Sequence, residues 1–182
     1  MMKKGFTLTE TTIVIAIFGL IIATVYLIFA LNQRVYLAGE ETAEITQNGR
    51  VILERMTREI RQAREIVTEL SDDESEASSV IEFEDGHTAT RYYYIRYYQE
   101  DGNVKREVKR YYFSSDLNTF LPWNAISPTE TLEVDVVEEP VIIGEYVTNL
   151  KFWGSYTINI FITLTKSDQE IDLSTKVFGR NL

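Results

Sequence analysis

The sequence predicts an α+β protein in which a long N-terminal helix packs with its second half against antiparallel β-sheet. Residues 13–31 form an uncharged apolar run, and apolar side chains then recur at helical spacings of three, four and seven. From residue 80 onward, short alternating runs are separated by turn signals such as Asp-Gly. We therefore expect an apolar helix at 6–32, its amphipathic continuation at 33–70 and a sheet domain at 71–182.

The composition is that of a folded protein and excludes several functions. The 182 residues carry a net charge of −10, which argues against nucleic acid as a partner, because phosphate binding needs an excess of Lys and Arg. The chain has no cysteine and one histidine, His87, so disulfides, thiolate zinc sites and multi-histidine metal sites are excluded. No nucleophile and base constellation is visible, and we do not expect an enzyme.

The apolar run is long enough to span a membrane. Residues 13–31 make a helix of roughly 28 Å, close to the hydrocarbon thickness of a bilayer. Lys3 and Lys4 precede the run, whereas the single arginine just after it is soon offset by two glutamates. The positive-inside rule then predicts a single-pass protein with a cytoplasmic N-terminus and an exported chain from about Gln33.

Glu10 lies at the edge of this run, where a carboxylate is costly unless it is paired. No Lys or Arg lies between Phe6 and Asn32, so a cationic partner must be a terminus or another molecule. A cut between Gly5 and Phe6 would create an α-amino group about 6 Å of helix from Glu10. A neighbouring chain shifted axially by that distance would bring its amine level with this carboxylate.

Residues 3–10, with the sequence KKGFTLTE, resemble the type III signal of type IV prepilins and type II secretion pseudopilins. The resemblance implies a pilin-like fold, removal of the leader peptide of residues 1–5 by prepilin peptidase after Gly5, and N-methylation of Phe6. It also implies that Glu10 pairs with the amino terminus of an adjacent subunit during assembly.

The function implied by this resemblance is structural. The chain would be a minor pilin or pseudopilin of a type IV pilus or type II secretion-like filament, and the ending at 177–182 is most similar to minor subunits of the J or W type. The implied partners are other pilin or pseudopilin subunits, prepilin peptidase, the inner-membrane assembly platform and, before assembly, the membrane. The alternatives are a major pilin of the fibre body, a filament-displayed adhesin or DNA-binding module, and an uncleaved signal anchor.

The amphipathic helix is rich in arginine. Oppositely charged residues four apart predict a solvated, salt-bridged face, with Arg55 and Arg58 as candidates for contacts to a partner subunit. Asn48-Gly49 is the weak point of this helix, because Asn-Gly is a turn signal. The predicted ion pairs are Arg50–Glu54, Glu54–Arg58, Arg55–Glu59 and Arg61–Glu65.

The remaining segments suggest two antiparallel meanders and one excursion. The acidic residues 71–79 are expected to end the helix, because carboxylates are unfavourable at its C-terminus. They lack the Asp-x-Asp-x-Asp-Gly pattern of a calcium-binding loop. We therefore expect no cofactor or metal, and bound calcium is the alternative. Residues 114–129 read as an ordered excursion whose Trp123 packs on the domain and is a candidate for recognition. The predicted strands are 80–83, 90–98, 104–113, 131–137, 141–143, 146–153, 157–165 and 170–177.

Overall fold

The structure is a computed structural model that describes residues 7–87 and 91–179. The chain divides into two compact units, Met1–Glu41 and Thr42–Leu182. Helix α1 spans Leu8–Gln62, so it begins in the first unit and ends in the second. The strands of the described residues lie in the second unit and pair antiparallel, and the predicted α+β class is confirmed.

The strands of the described residues form two sheets. In the first sheet, β1, β2 and β3 are consecutive neighbours, and β3 also pairs with β4 and β5; the second sheet has the order β6-β7-β8. Both predicted meanders are therefore present. The strands are β1 (Val80–Glu84), β2 (Tyr94–Glu100), β3 (Asn103–Phe113), β4 (Asp116–Leu121), β5 (Leu132–Gly144), β6 (Val147–Trp153), β7 (Thr157–Lys166) and β8 (Gln169–Phe178).

The amphipathic part of α1 supplies one side of the core. Its side chains at positions 45, 52, 56 and 60 are fully buried, and they cluster with apolar residues of both sheets. This arrangement follows from the helical spacing, because residues three, four and seven apart share one face. The sheet residues of the cluster include Ile81, Phe83, Ile95, Tyr97, Val104, Leu150, Phe152, Ile158, Ile160, Ile162 and Leu164.

Helix α1 continues without interruption through Asn48-Gly49, the predicted weak point. A Cβ on Gly49 would lie 2.5 Å from Leu173 Cδ1 and 2.9 Å from Leu164 Cδ1. The glycine is therefore explained by the close approach of the helix to the second sheet rather than by a turn.

The helix ends at Gln62, eight residues before the predicted end at residue 70. The following segment instead lies along β1: the Val67 N–H donates to the Glu82 carbonyl at 2.8 Å, and the Glu84 N–H donates to the Glu65 carbonyl at 2.9 Å. Strand pairing thus satisfies the backbone groups that further helix would have satisfied, and it covers the outer edge of β1.

Strand boundaries also differ from the prediction. Strand β2, predicted at 90–98, is Tyr94–Glu100. The excursion at 114–129 contains β4, which pairs with the end of β3. The runs predicted at 131–137 and 141–143 are one strand, β5, which passes through Pro140. A proline is accommodated there because the opposite side of β5 has no neighbouring strand among the described residues.

Candidate functional site

The carboxylate of Glu10 lies in the first turn of α1 and is bonded to Thr7. Glu10 Oε2 accepts hydrogen bonds from the Thr7 N–H at 2.9 Å and from the Thr7 hydroxyl at 2.8 Å, and the Glu10 N–H faces Thr7 Oγ1 at 3.3 Å. This reciprocal pattern is a capping box, which satisfies N–H groups that the first turn leaves without helical partners. No cationic partner was expected in the chain. Thr7 was not predicted as a neutral partner, although Thr-x-x-Glu at a helix start is the usual signature of a capping box.

The apolar side chains after Glu10 are exposed. The helix is long and apolar enough to cross a membrane, and none of its most apolar window is buried. The predicted cleavage and methylation positions, Gly5 and Phe6, lie outside the described residues.

Together, an apolar N-terminal helix and antiparallel sheets define a protein of pilin-like α+β architecture. Residues 1–26 match the family described as the prokaryotic N-terminal methylation motif. The match and the apolar helix indicate membrane anchoring and support the resemblance to prepilin-type pilins and pseudopilins. No significant match was found among curated proteins or among solved structures.

The arginine face of α1 is largely without counter-ions, which corrects the prediction of a salt-bridged face. Of the four predicted pairs, the described residues form only Arg55–Glu59, at 3.5 Å. The side chains of Arg50, Arg58 and Arg61 form no ion pair or hydrogen bond with the described part of the chain. Helical spacing brings charges close, but exposed side chains gain little from pairing and remain in water.

Glu59 of α1 joins the helix to the first sheet. Glu59 Oε2 accepts hydrogen bonds from the Tyr97 hydroxyl at 2.6 Å and from Arg106 Nε at 2.9 Å. Arg106 also contacts Glu138 of β5 at 2.8 Å. Burial would lower the pKa of Arg106, but hydrogen bonds to Glu59 and Glu138 raise it above its ordinary value. This network joins the helix to β2, β3 and β5.

Trp123, a predicted recognition residue, packs against the sheet. Its backbone N–H donates to the Tyr94 hydroxyl at 2.9 Å, and its indole N–H is buried with no acceptor among the described residues. Only part of the side chain is exposed. The prediction that Trp123 packs on the domain is therefore confirmed, whereas its role in recognition stays a prediction.

The carboxylates of the acidic segment mainly stabilise the local fold. Asp73 caps a short 3₁₀ helix, Glu74–Glu76, and accepts from the Ser75 N–H at 2.8 Å. Asp72 accepts from the backbone and hydroxyl of Ser155, both at 2.9 Å. Among residues 7–87 and 91–179, no three acidic or histidine side chains are grouped to hold a metal ion.

Proposed function

We propose that this protein is a structural subunit of a type IV pilus or a type II secretion-like filament, processed by prepilin peptidase between Gly5 and Phe6. The observation that carries the proposal is the methylation motif at residues 1–26, followed by an exposed apolar helix of membrane-spanning length. The same motif points to a structural protein rather than an enzyme.

The proposed orientation places the N-terminus in the cytoplasm and the sheet domain outside the inner membrane. Lys3 and Lys4 precede the apolar helix, and positive residues are retained on the cytoplasmic side. After assembly the domain would lie in a cell-surface or periplasmic filament.

The proposed assembly contact joins Glu10 to the methylated amino group of Phe6 in an adjacent subunit. Glu10 Oε2 takes both hydrogen bonds from Thr7, and no described residue donates to its Oε1. The carboxylate therefore has an acceptor oxygen for a neighbour's amine without release of the helix cap. A charge-assisted hydrogen bond in an apolar filament core would be strong, because water does not compete there.

The more specific proposal is a minor, initiating subunit. It rests on the resemblance of the chain ending and the arginine-rich helix to J-type or W-type minor subunits, and a major pilin is the alternative. Partners would be other subunits, prepilin peptidase and the inner-membrane assembly platform.

Intact-mass spectrometry of the membrane-extracted protein tests the processing step. We expect a chain that begins at Phe6 and carries one added methyl group. A Gly5→Leu variant, in which the bulky side chain blocks the peptidase, is the control and should keep residues 1–5. An intact Met1 in the unsubstituted protein produced by its native host would contradict the proposal.

A further inference from the structure

Among the described residues the edges of β4, β5 and β8 remain open, and those of β5 and β8 differ in charge. The outer edge of β1 is covered by the segment that pairs with Phe83, and the outer edge of β6 is bridged by Ser78. Strands β4, β5 and β8 each have one neighbouring strand only. An open edge presents unpaired N–H and C=O groups that can bind another strand.

The open edge of β8 adjoins a basic groove. The groove has a volume of about 730 Å³ and lies between α1 and β8, with Leu53 and Leu173 among its apolar lining residues. Arg50, Arg58 and Arg61 line it as well, and these are the arginines without a partner in the described chain. Three arginines against one carboxylate, Glu54, give the groove a positive balance beside an open strand edge, which favours an acidic extended segment as the occupant.

Strand β5 has that composition. It runs for 13 residues and has apolar side chains that are 43–54% exposed, at positions 134, 136, 137, 141 and 142. Asp135 and Glu138 pair with arginines of β3 but keep 45% and 60% of their side chains exposed. Glu139 is exposed, and its side chain forms no ion pair or hydrogen bond with the described residues.

We propose that β5 of one copy adds to the open edge of β8 in a second copy, with its carboxylates facing the arginines of the groove. The apolar side chains of β5 would then cover the exposed lining near Leu173. The two surfaces are different and lie on one chain, so the contact is head-to-tail and can repeat from copy to copy. This inference rests on the proposed filament function. It requires adjacent copies of this chain, so heterodimers would favour the major-pilin alternative over a single initiating subunit.

Nucleic acid is the competing occupant of a groove lined by arginine. Glu54 also lines the groove, and the whole chain has a net charge of −10, so a phosphate backbone would meet repulsion close to the arginines. A strand carrying a few carboxylates and apolar side chains matches the groove better than a polyanion does.

Disulfide cross-linking tests the contact cleanly because the chain has no cysteine. Full-length Ser174→Cys protein is co-produced with a second copy that carries one cysteine at each position of 134–141 in turn, and membranes are oxidised. We expect heterodimers about tenfold above an Asn118→Cys control pair. Reactivity should alternate over positions 134–136, since side chains alternate along a regular strand, whereas the register shifts against β3 interrupt this alternation between 136 and 141. Asn118 is exposed on β4, which is neither of the two strands in the proposed contact.

Charge reversal supplies the second measurement. Arg58→Glu with Arg61→Glu in the Ser174→Cys copy should reduce heterodimers about tenfold, and Glu138→Arg with Glu139→Arg in the β5 copy should restore them. Circular dichroism checks that each variant folds.

Three results would overturn the inference: no heterodimer above the control pair, Ser174 cross-linked mainly to Ser174, or charge reversal without effect. Binding of duplex DNA to the purified protein that is lost with Arg58→Glu and Arg61→Glu, without heterodimers, would assign the groove to nucleic acid. The cross-link is scored in membranes before filaments form, so failure to make filaments counts against the proposed function alone.

Discussion

The Glu10 carboxylate, in the first turn of α1, has two roles. Glu10 caps the helix through Thr7, and it carries the charge that the proposed assembly contact requires. The two roles can be separated, because a neutral amide oxygen also accepts a hydrogen bond from Thr7 but cannot form an ion pair with an amine.

We predict that Glu10→Gln and Glu10→Ala both abolish filaments, whereas Thr7→Ala retains them. Thr7→Ala removes the hydroxyl cap, at a cost of about 1 kcal/mol to the helix, and leaves the charge. Electron microscopy of sheared filaments from the native host gives the readout, with immunoblots of membranes to confirm equal protein levels. Normal filaments with Glu10→Gln would show that the charge is not needed.

At the scale of the helix, a local signal and a tertiary contact compete at Asn48-Gly49. The dipeptide favours a turn, yet α1 continues, and the Asn48 side chain donates to the Glu145 carbonyl at 2.9 Å. Gly49 is buried against Leu164 and Leu173 of the second sheet. Packing therefore overrides the intrinsic preference of both residues.

We predict that Gly49→Ala lowers the free energy of unfolding by about 1–2 kcal/mol, although alanine is the better helix former. The new methyl group would displace Leu173 and the fully buried Leu164. Gly39→Ala is the matched control: Gly39 is in the same helix with nothing within 4 Å, so stability should rise by up to about 1 kcal/mol.

Urea denaturation of the full chain in detergent, followed by circular dichroism, measures both glycine variants. Equal stabilisation by the two alanines would mean that the helix does not approach the sheet as closely as described.

Across the whole molecule, local sequence patterns predicted most helices and strands. They did not predict contacts between residues that are distant in the sequence. Alternation along 157–165 and 170–177 was sufficient for a hairpin, because its two strands are neighbours in sequence. The end of α1 was not predictable, since Val67 bonds to Glu82 only after β1 is in place. The sequence could not show that the side chains of Arg58 and Arg61 are unpaired. Helical spacing indicates which charged side chains are close together, but not which of them form ion pairs.

The tyrosines of β2 show how both faces of the first sheet are covered. Tyr97 faces α1 and donates to Glu59, whereas Tyr94 lies beneath the excursion and is bonded to the backbone of Trp123. Both side chains are fully buried. The sequence placed tyrosine on both faces, and the structure explains this by a helix on one side and the excursion on the other.

Burial of these tyrosines predicts a loss of stability at high pH. Burial raises the pKa of Tyr94 from 10.0 to about 12, against the opposing effect of the hydrogen bond from Trp123. Between these pH values the unfolded chain has released the proton and the folded chain still holds it, so the free energy of unfolding falls as the pH rises. Tyr94 alone would account for about 2 kcal/mol by pH 12, and its contribution is fully present well below pH 10. Burial also raises the pKa of Tyr97 and Tyr111, which adds to the loss.

Urea denaturation at a series of pH values from 9 to about 12 measures this dependence. In Tyr94→Phe the fall in the free energy of unfolding over this range should be about 2 kcal/mol smaller, because phenylalanine has no proton to release. Tyr156→Phe is the control, since Tyr156 is 84% exposed and its loss should leave the profile unchanged. A Tyr94→Phe profile as steep as that of the unsubstituted protein would mean that Tyr94 titrates normally, and hence that residues 121–123 do not exclude water from this face of β2.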